Sequence, residues 1–303
     1  MNLHALRLFH TIAETGSVTR ASEQLGISQP AITSQVKKFE KELGTELLRP
    51  AGRGVALTDA GARIALLAKR LFAVERQIAQ CAEEYRTGAG GHVRLAATYL
   101  PAHFLIPAWL AQFKRRYERV EMTITTTNSS DALKQLLNVE ADAAVYGGLP
   151  EAYPDTVQTE ELFRDELWFV VAPTHRYADR HVSLAEMMKE PFVMREEGSS
   201  TRERLFALCR TYSAPPPKIA LQFNGLHEAI TAVIAGYGAN FVSSLVVRDY
   251  VERGLLSRVY VEDIRLQNTI AVCTRKNEPL SAAAANFIGM IRANPYVKSG
   301  SGR

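Results

Sequence analysis

The sequence predicts an α/β chain in three parts: an N-terminal winged helix-turn-helix, a long linker helix and a C-terminal α/β domain of two lobes. Three observations predict this. Short helical patterns around a glycine turn fill residues 1–58, a seven-residue apolar repeat follows, and strands alternate with helices from residue 92. The 303 residues suffice for a small domain and a second one of about 200 residues.

Residues 17–40 predict two short helices joined by a tight turn. The apolar residues recur at the spacing of helices that bury one stripe. They are Ala21, Leu25, Ile32, Val36 and Phe39. Ser17 and Ser28 can cap helices that begin at the next residue, Pro30 suits a first turn, and Gly26 suits the left-handed end of the first helix. A third helix precedes them, with one predicted apolar face made of Leu3, Leu6, Phe9 and Ala13.

The polar face of the second helix carries Gln29, Thr33, Ser34 and Lys37. Side chains placed there can reach base edges in the DNA major groove, and Lys37 with Lys38 can contact phosphates. A solvated helix face is the alternative. Because the caps, the turn and the basic residues coincide, the pattern favours double-stranded DNA as a partner.

A β-hairpin is predicted next, from residues 47–50 and 54–57 around a turn at residues 51–53. Arg53 lies at its tip and Arg49 lies close by. An arginine at a hairpin tip beside a recognition helix indicates a wing that contacts the DNA backbone or the minor groove. An ordinary surface turn is the alternative.

The segment from Leu6 to Gly61 resembles the DNA-binding domain of LysR-type transcriptional regulators. The motifs are Ser28-Gln-Pro-Ala-Ile, Phe39-Glu-Lys-Glu-Leu-Gly and Leu57-Thr-Asp-Ala-Gly61. The resemblance implies DNA contacts at Ser28, Gln29, Pro30, Thr33, Ser34 and Lys37, with Arg53 in the wing. Many members carry Arg where this chain has Ser34, so we expect different contacts there. The resemblance extends more loosely over the rest of the chain.

A linker helix is predicted from Asp59, with Thr58 as its cap, to a glycine-rich hinge at residues 88–91. Its apolar residues form a heptad seam. They are Ile64, Leu67, Leu71, Val74, Ile78, Cys81 and Tyr85. The seam predicts a homodimer with two recognition helices related by a two-fold axis, and the resemblance adds that tetramers are common. A helix packed only on its own domain is the alternative.

From residue 92 the sequence predicts an α/β domain with mainly parallel sheets. The predicted strands are 93–97, 120–127, 141–146, 167–172, 239–243 and 270–274, and the predicted helices are 104–117, 131–139, 184–188, 202–212, 230–234 and 281–292. Two lobes joined by crossing strands fit a clamshell like that of periplasmic binding proteins. We expect a DNA-binding domain at 1–58, a linker at 59–91 and an effector-binding domain at 92–303, with lobe I at about 92–163 and 267–295 and lobe II at about 164–266.

Four polar strand-to-helix junctions, at residues 98–101, 128–130, 198–202 and 224–225, predict a binding site for a small anion between the lobes. The candidate contacts are Thr98, Tyr99, Asn128, Ser129, Ser199, Thr201, Arg202 and Asn224. Arg202 could pair with a carboxylate, sulfate or phosphate group. The alternative is an ordinary capped helix start. The resemblance favours a sulfur, phosphorylated or phosphonate metabolite as effector.

Composition narrows the remaining possibilities. A charged fraction of 22% and no run of about eighteen apolar residues predict a cytoplasmic globular protein without a membrane partner. The three cysteines and seven histidines have no metal-ligand spacing, so we expect no metal and no cofactor. No catalytic motif is present, which favours a regulator over an enzyme. In the mechanism we expect, an effector bound between the lobes shifts their closure, which changes DNA bending and contact with RNA polymerase. A redox sensor acting through Cys209 and Cys273, and a small-molecule-binding protein without a DNA role, remain alternatives.

Overall fold

A computed structural model describes residues 1–52, 54–87, 90–148, 154–262, 264 and 266–293, with no description of the side chains of residues 80 and 83–87. The chain divides into two compact units, Met1–Ala82 and Glu83–Arg303. The first unit contains four helices and one hairpin among its described residues. They are α1 (Leu3–Thr15), α2 (Val18–Leu25), α3 (Gln29–Leu43), β1 (Leu48–Ala51), β2 (Gly54–Leu57) and α4 (Asp59–Thr87), the last of which continues past the boundary.

The predicted start and stop signals of the first helices are confirmed in their positions. Ser17 caps α2 by accepting a hydrogen bond from the Arg20 N–H, and Gly26 ends that helix in the left-handed conformation at φ 65°. Pro30 lies in the first turn of α3. Ser28 occupies the N-cap position of α3, but its side chain makes no capping hydrogen bond.

Helices α1, α2 and α3 bury one apolar cluster against the first half of α4. Its largest buried side chains include Phe9, Phe39 and Phe72. The predicted face of α1 needs one correction, because Leu3 is 52% exposed while Leu8 and Ile12 are buried. Leu3 is the first residue of the helix, and the buried residues of α1 begin at Ala5.

Helix α4 begins where predicted, with the Thr58 hydroxyl accepting a hydrogen bond from the Gly61 N–H at 2.9 Å. The predicted heptad seam of α4 is buried at some positions and exposed at others. Ile64 and Leu71 pack on the cluster of the first unit, so the alternative of packing on its own domain holds for these two positions. Four other seam residues remain exposed, and the side chain of Tyr85 lies outside the described residues. The exposed ones are Leu67, Val74, Ile78 and Cys81.

The second unit alternates strands and helices. Its strands are β3 (His92–Thr98), β4 (Glu121–Thr127), β5 (Ala143–Gly147), β6 (Val157–Val171), β7 (His181–Val182), β8 (Pro191–Arg195), β9 (Lys218–Phe223), β10 (Ala239–Ser243), β11 (Ser257–Val261) and β12 (Gln267–Arg275). Its helices are α5 (Tyr99–Phe104), α6 (Ile106–Arg116), α7 (Ser129–Leu137), α8 (Leu184–Met187), α9 (Ser200–Thr211), α10 (Leu226–Ile234), α11 (Ser244–Glu252) and α12 (Ala282–Ala293).

The strands form one hydrogen-bonded path in the order β4-β3-β5-β12-β6-β10-β8-β9, with β11 and β7 attached through β6. The expectation of mainly parallel sheets is only partly met, because five of the nine strand pairs among the described residues of this unit are parallel and four are antiparallel. The outer pairs are parallel, but β12 runs antiparallel to β5 and β6, and β6 runs antiparallel to β10 and β11. Both β6 and β12 pass through the centre, so the mixture arises where the halves join.

Strand β6 connects two lobes. Its residues from Val157 to Glu166 pair with β12, and its residues from Leu167 to Val171 pair with β10. We call lobe I the described residues of 92–166 and 267–293, and lobe II the described residues of 167–266. Because a single strand belongs to both sheets, a change of angle between the lobes must bend β6 near residues 165–167.

Other predicted elements need correction. The helix expected at 104–117 is interrupted at Leu105, and α6 starts afresh with Pro107 in its first turn, because proline has no N–H with which to continue α5. Helix α7 begins two residues before the expected start, because the Asn128 side chain accepts a hydrogen bond from the Asp131 N–H. Among the described helices, none is long and apolar enough to cross a membrane.

Candidate functional site

The exposed face of α3 forms an open, basic concave surface on the first unit. It is lined by Ser22, Gln29, Pro30, Thr33, Ser34, Lys37, Lys38 and Lys41. Ser28 is exposed next to it. The opposite face of α3 buries Ile32, Val36 and Phe39, which fixes the rotation of the helix and turns the polar side chains outward. The structure therefore brings together six of the seven candidate DNA contacts.

The hairpin is tied to α3 by a residue that the sequence analysis did not single out. The Glu40 carboxylate accepts hydrogen bonds from the N–H groups of Leu47 and Leu48, at 2.7 and 3.0 Å. This holds the start of β1 against the recognition helix. Arg49 is exposed on β1 opposite Ala56, and Arg53, the seventh candidate, lies outside the described residues.

The second unit has a cavity between its lobes, of about 40 Å³. The residues around it come from five strand-to-helix junctions and from strands β5 and β12. They are Thr98, Tyr99, Leu100, Asn128, Ser129, Gly147, Arg195, Ser199, Ser200, Thr201, Leu226, Val242, Ser243, Val246 and Asn268. A cavity of this size holds a few water molecules or one small polar group. Six of the eight candidate effector contacts lie here.

Four helices of eight or more residues, α7, α9, α10 and α11, point their N-termini at this cavity. Free N–H groups at helix N-termini carry partial positive charge, so their convergence favours an anion. Ser199 and Ser243, the N-cap residues of α9 and α11, make no side-chain capping bond. The Ser199 and Thr201 hydroxyls lie 3.2 Å apart, within hydrogen-bonding distance.

The lobes touch directly beside the cavity. Ser200 of lobe II donates its hydroxyl to the Gly147 carbonyl of lobe I at 3.0 Å, and the Gly147 N–H donates to Thr98 Oγ1 at 2.7 Å. A Cβ at Gly148 would lie 2.5 Å from Ser200 Oγ, so only glycine allows this approach at its φ of 96°. The bond from Ser200 to Gly147 therefore links the two lobes directly beside the cavity.

Arg202 and Asn224 are not among the residues around the cavity. The Arg202 guanidinium donates to the Arg195 carbonyl at 3.1 Å and to Gln222 Oε1 at 2.6 Å. Since α9 begins at Ser200, Arg202 already lies inside the helix and reaches back over β8 and β9. Asn224 is exposed. The placement expected for these two residues is corrected accordingly.

Arg195 takes the place that Arg202 was expected to fill. It ends β8, is buried, and is the one charged residue among those described around the cavity. Its Nε and Nη2 atoms lie 2.8 and 2.9 Å from the Glu196 carboxylate oxygens. Its guanidinium carbon lies 4.1 Å from the centre of the Tyr99 ring, which belongs to lobe I.

A buried carboxylate anchors α11 at the point where β6 changes lobes. Asp165 accepts hydrogen bonds from the hydroxyls of Ser243 and Ser244 and from the N–H groups of Glu166 and Leu245. Burial raises the pKa of Asp165, and these hydrogen bonds oppose the rise. Asp165 therefore joins the crossing strand to a helix whose first residues line the cavity.

Asn268 contributes an unused donor to the cavity. It is the register partner of Asp165 on β12 and is fully buried. Its side-chain Nδ2 has no hydrogen-bond partner within the described part of the chain, whereas its Oδ1 lies 3.4 Å from Arg204 Nη1. An unsatisfied buried donor costs free energy, and an acceptor atom of a ligand would satisfy it.

The cysteines show no arrangement for redox chemistry in the described residues. Cys81 is exposed on α4, while Cys209 and Cys273 are buried. Burial raises the pKa of the Cys209 thiol, which lowers its reactive thiolate fraction. Cys273 Sγ lies 3.4 Å from Thr159 Oγ1. Within the ranges that the structure describes, no three His, Cys, Asp or Glu side chains gather as metal ligands.

Two family models match the chain. The model described as "Bacterial regulatory helix-turn-helix protein, lysR family" matches residues 3–62, which include α3 and the hairpin. The model described as "LysR substrate binding domain" matches residues 86–295, which include both lobes and the cavity. Each of the two surfaces described above therefore lies within its own family match.

Comparison with individual proteins agrees. A RuBisCO operon transcriptional regulator of Allochromatium vinosum is 32% identical over 292 residues, covering 95% of this chain and 94% of that protein. The crystal structure of CbnR, a LysR family transcriptional regulator, has a TM-score of 0.71 at 20% identity and covers 97% of this chain and 99% of that one. The regulatory domain of Synechocystis PCC6803 CcmR, in complex with 2-PG, has a TM-score of 0.61 at 21% identity and covers 67% of this chain and 96% of that one. At such identities the structures show a shared fold alone.

Proposed function

The chain belongs to the LysR family of transcriptional regulators, and from this premise we propose that it is a ligand-responsive regulator that senses a small anion between its two lobes. It binds promoter DNA as a dimer or tetramer through α3 and the wing. The observation that carries the proposal is the convergence of four helix N-termini on one small cavity between the lobes.

The DNA-binding part of the proposal rests on the exposed face of α3. Gln29, Thr33 and Ser34 offer side chains that can hydrogen-bond to base edges, and Lys37 offers a charge for phosphate. CbnR, which shares the fold, has also been solved in complex with its target DNA. Many family members carry arginine at the position of Ser34, so we expect this chain to prefer an operator sequence different from theirs.

Dimer formation rests on the exposed apolar stripe of α4. Leu67 and Ile78 are 60% and 66% exposed, and Val74 lies between them on the same face. Aliphatic side chains at heptad spacing are covered when a second copy of the helix packs against them. A two-fold pair of chains then presents two α3 helices to the two halves of an operator.

The anion proposal rests on the chemistry around the cavity. Thr98, Ser129, Ser199 and Thr201 offer hydroxyls, Asn268 offers an unused amide donor, and the helix N-termini offer partial positive charge. The CcmR regulatory domain, which shares the fold, was solved with 2-PG. A sulfur, phosphorylated or phosphonate metabolite fits this donor set, with its anionic group in the cavity.

The regulatory step is a change in lobe closure. An anion held by residues of both lobes, such as Tyr99 and Ser199, favours one angle between them, and β6 bends to accommodate it. In a dimer or tetramer this alters the spacing of the α3 helices, the bending of the DNA and the contact with RNA polymerase. The protein acts in the cytoplasm, where promoter DNA and metabolites meet, and it is a regulator rather than an enzyme.

The redox alternative has weak support. Cys209 has a raised pKa and lies in the core of lobe II, whereas a sensing thiol needs exposure and a lowered pKa. A binding protein without a DNA role would leave the basic face of α3 unexplained.

The DNA part is tested by fluorescence anisotropy with DNA from upstream of the chain's own coding sequence. Lys37→Ala removes a phosphate contact, so affinity falls and the slope of log K against log salt decreases in magnitude by about 0.9 per lost contact. Lys189→Ala makes the same charge change at an exposed position of lobe II and leaves both quantities unchanged. Equal behaviour of the two variants would contradict the assignment of α3 as the DNA surface.

A further inference from the structure

The guanidinium of Arg195 already has a counter-ion from its own chain. The Glu196 carboxylate faces it with two contacts below 3.0 Å, and the two side chains are only 8% and 14% exposed. Water therefore screens this pair poorly, and the interaction is stronger than a surface ion pair. The Glu196 N–H donates a hydrogen bond to the Phe223 carbonyl, and this bond holds the backbone of Glu196 in place.

This neutralisation matters because Arg195 is the one charged residue among those described around the cavity. With Glu196 attached, the full positive charge of the site is offset, and only hydroxyls, amides and helix N-termini remain to attract an anion. An arriving anion meets the negative charge of Glu196, whose carboxylate oxygens lie 2.8 and 2.9 Å from the guanidinium nitrogens of Arg195. Like charges in a poorly screened site repel, so Glu196 opposes anion binding.

We propose that Glu196 is a built-in counter-ion that competes with the anionic effector for Arg195 and sets the concentration at which the regulator responds. The inference rests on the proposed function, since it presumes an anion in this cavity. Before an anion binds, Glu196 pairs with the buried charge of Arg195, which would otherwise be costly. The Arg195 guanidinium then stays stacked on the Tyr99 ring of the other lobe. When an anion binds, Arg195 shares its remaining N–H groups with it or gives up Glu196.

The neighbouring residue offers a matched control. Glu197 is 87% exposed on its side chain, and its carboxylate lies 3.5 Å from Arg202, outside the cavity. Glu196→Gln and Glu197→Gln make the same change of charge and shape one residue apart. Only the first removes the negative charge from Arg195, while the amide oxygen introduced there can still accept one hydrogen bond from the guanidinium.

The experiment titrates inorganic sulfate and inorganic phosphate into the full-length chain by isothermal calorimetry at constant ionic strength. The wild-type chain, Glu196→Gln and Glu197→Gln are compared, with Arg195→Met in the wild-type and Glu196→Gln backgrounds. We expect Glu196→Gln to bind the anion about tenfold more tightly, the factor that corresponds to ~1.4 kcal/mol. Glu197→Gln stays within about twofold of the wild type, as screening of exposed charges requires.

The two Arg195→Met variants distinguish competition for Arg195 from an indirect structural effect of replacing Glu196. If Glu196 acts through Arg195, its replacement brings no gain once Arg195 is methionine, because the two changes are coupled. Thermal unfolding without anion identifies any variant that has lost its fold, and the cycle is then repeated with Glu196→Ala.

Three results would overturn the inference. Anion binding by Glu196→Gln that equals or falls below that of the wild type contradicts competition, while wild-type binding still supports the proposed anion site. An equal gain in anion affinity in Glu197→Gln would show that the effect comes from the net charge of the protein and not from the pairing of Glu196 with Arg195. Binding by none of the proteins contradicts both the counter-ion and the anion class, whereas anisotropy with upstream DNA still reports on the DNA-binding part separately.

Discussion

At the scale of single residues, Asp165 combines burial with a place on the crossing strand. Burial is the largest influence on its carboxyl and raises its pKa, against four hydrogen bonds that favour the charged form. The folded state therefore holds the Asp165 proton more tightly than the unfolded state does. Ionisation of Asp165 works against folding as pH rises above its ordinary pKa, and the penalty is complete above the raised value.

Asp165→Asn removes this ionisation and keeps the shape of the side chain. We expect the thermal midpoint of the wild type, relative to the variant, to rise as the pH is lowered from 7 toward about 4, the ordinary range of a carboxyl. Glu186→Gln serves as the opposite control. The hydrogen bonds from Ser183 lower the pKa of Glu186, so acidification removes stability that Glu186 provides. If the thermal midpoint of the wild type instead fell relative to that of Asp165→Asn on acidification, the raised pKa of Asp165 would be refuted.

Much of the site at residue scale could be predicted from sequence, because helix N-termini carry local signals. Thr98 and Asn128 follow predicted strands, Ser199 lies in a predicted polar junction, and each is the N-cap residue of a helix beside the cavity. Arg195 and Glu196 had no such signal. They lie at the end of β8 in the segment Met-Arg-Glu-Glu, and their pairing depends on how β8 packs between β9 and β10. Arg202 was the more visible arginine, but its position inside α9 directs it elsewhere.

At the scale of elements, the wing and α4 approach each other at Gly61. A Cβ added there would lie 2.0 Å from the Leu47 carbonyl oxygen, and that neighbour is backbone, which cannot rotate aside. Gly61 lies in the first turn of α4, three residues after the cap residue Thr58, whose hydroxyl accepts a hydrogen bond from the Gly61 N–H. The close approach explains why a helix accepts a residue that weakens helices by up to about 1 kcal/mol relative to alanine.

Gly61→Ala is expected to lower the stability of the first unit by about 2 kcal/mol or more, the range for overpacking a tight contact. Gly289→Ala is the matched control, since Gly289 lies inside α12 and a Cβ there meets no atom within 4 Å. Helix propensity then dominates, and stability rises by about 0.5–1 kcal/mol. Chemical denaturation of both variants measures the difference. A neutral or stabilising Gly61→Ala would show that the wing and α4 are less tightly packed than described.

The exposed stripe of α4 carries the prediction for assembly. Ile78→Glu places a charge in the middle of the apolar contact proposed between two copies of the helix, so we expect monomers in sedimentation velocity and weak operator binding. Ala79→Glu adds the same charge at the next, also exposed, position, about 100° around the helix. It should leave the dimer intact. Dimers that persist in Ile78→Glu would move the interface away from α4.

Element prediction succeeded where periodicity or capping was local and failed where pairing decided the structure. The first half of β6, from Val157 to Glu166, contains many polar and acidic residues, which are depleted in strands. It is extended because β12 pairs with it along its whole length. Strand β9 and helix α11 were not predicted, for a different reason. Their short apolar runs do not distinguish a helix from a strand before the packing is known.

At the scale of the whole molecule, two separable surfaces account for the proposed function. The basic face of α3 belongs to the first unit, and the cavity belongs to the second. Affinity for DNA and affinity for the anion are therefore expected to respond to different substitutions. Regulation requires a coupling free energy between them, and by linkage the anion and the operator must each change the affinity of the other by the same factor.

The most direct measurement of this claim is a footprint of the full-length protein on DNA from upstream of its own coding sequence. It is made at low salt with and without saturating inorganic sulfate or phosphate at constant ionic strength. We predict a protected site with interrupted two-fold symmetry, whose extent or cleavage pattern changes when the anion is present. Absence of any protected site would contradict DNA binding, and a pattern that stays identical while calorimetry shows the anion bound would contradict ligand control.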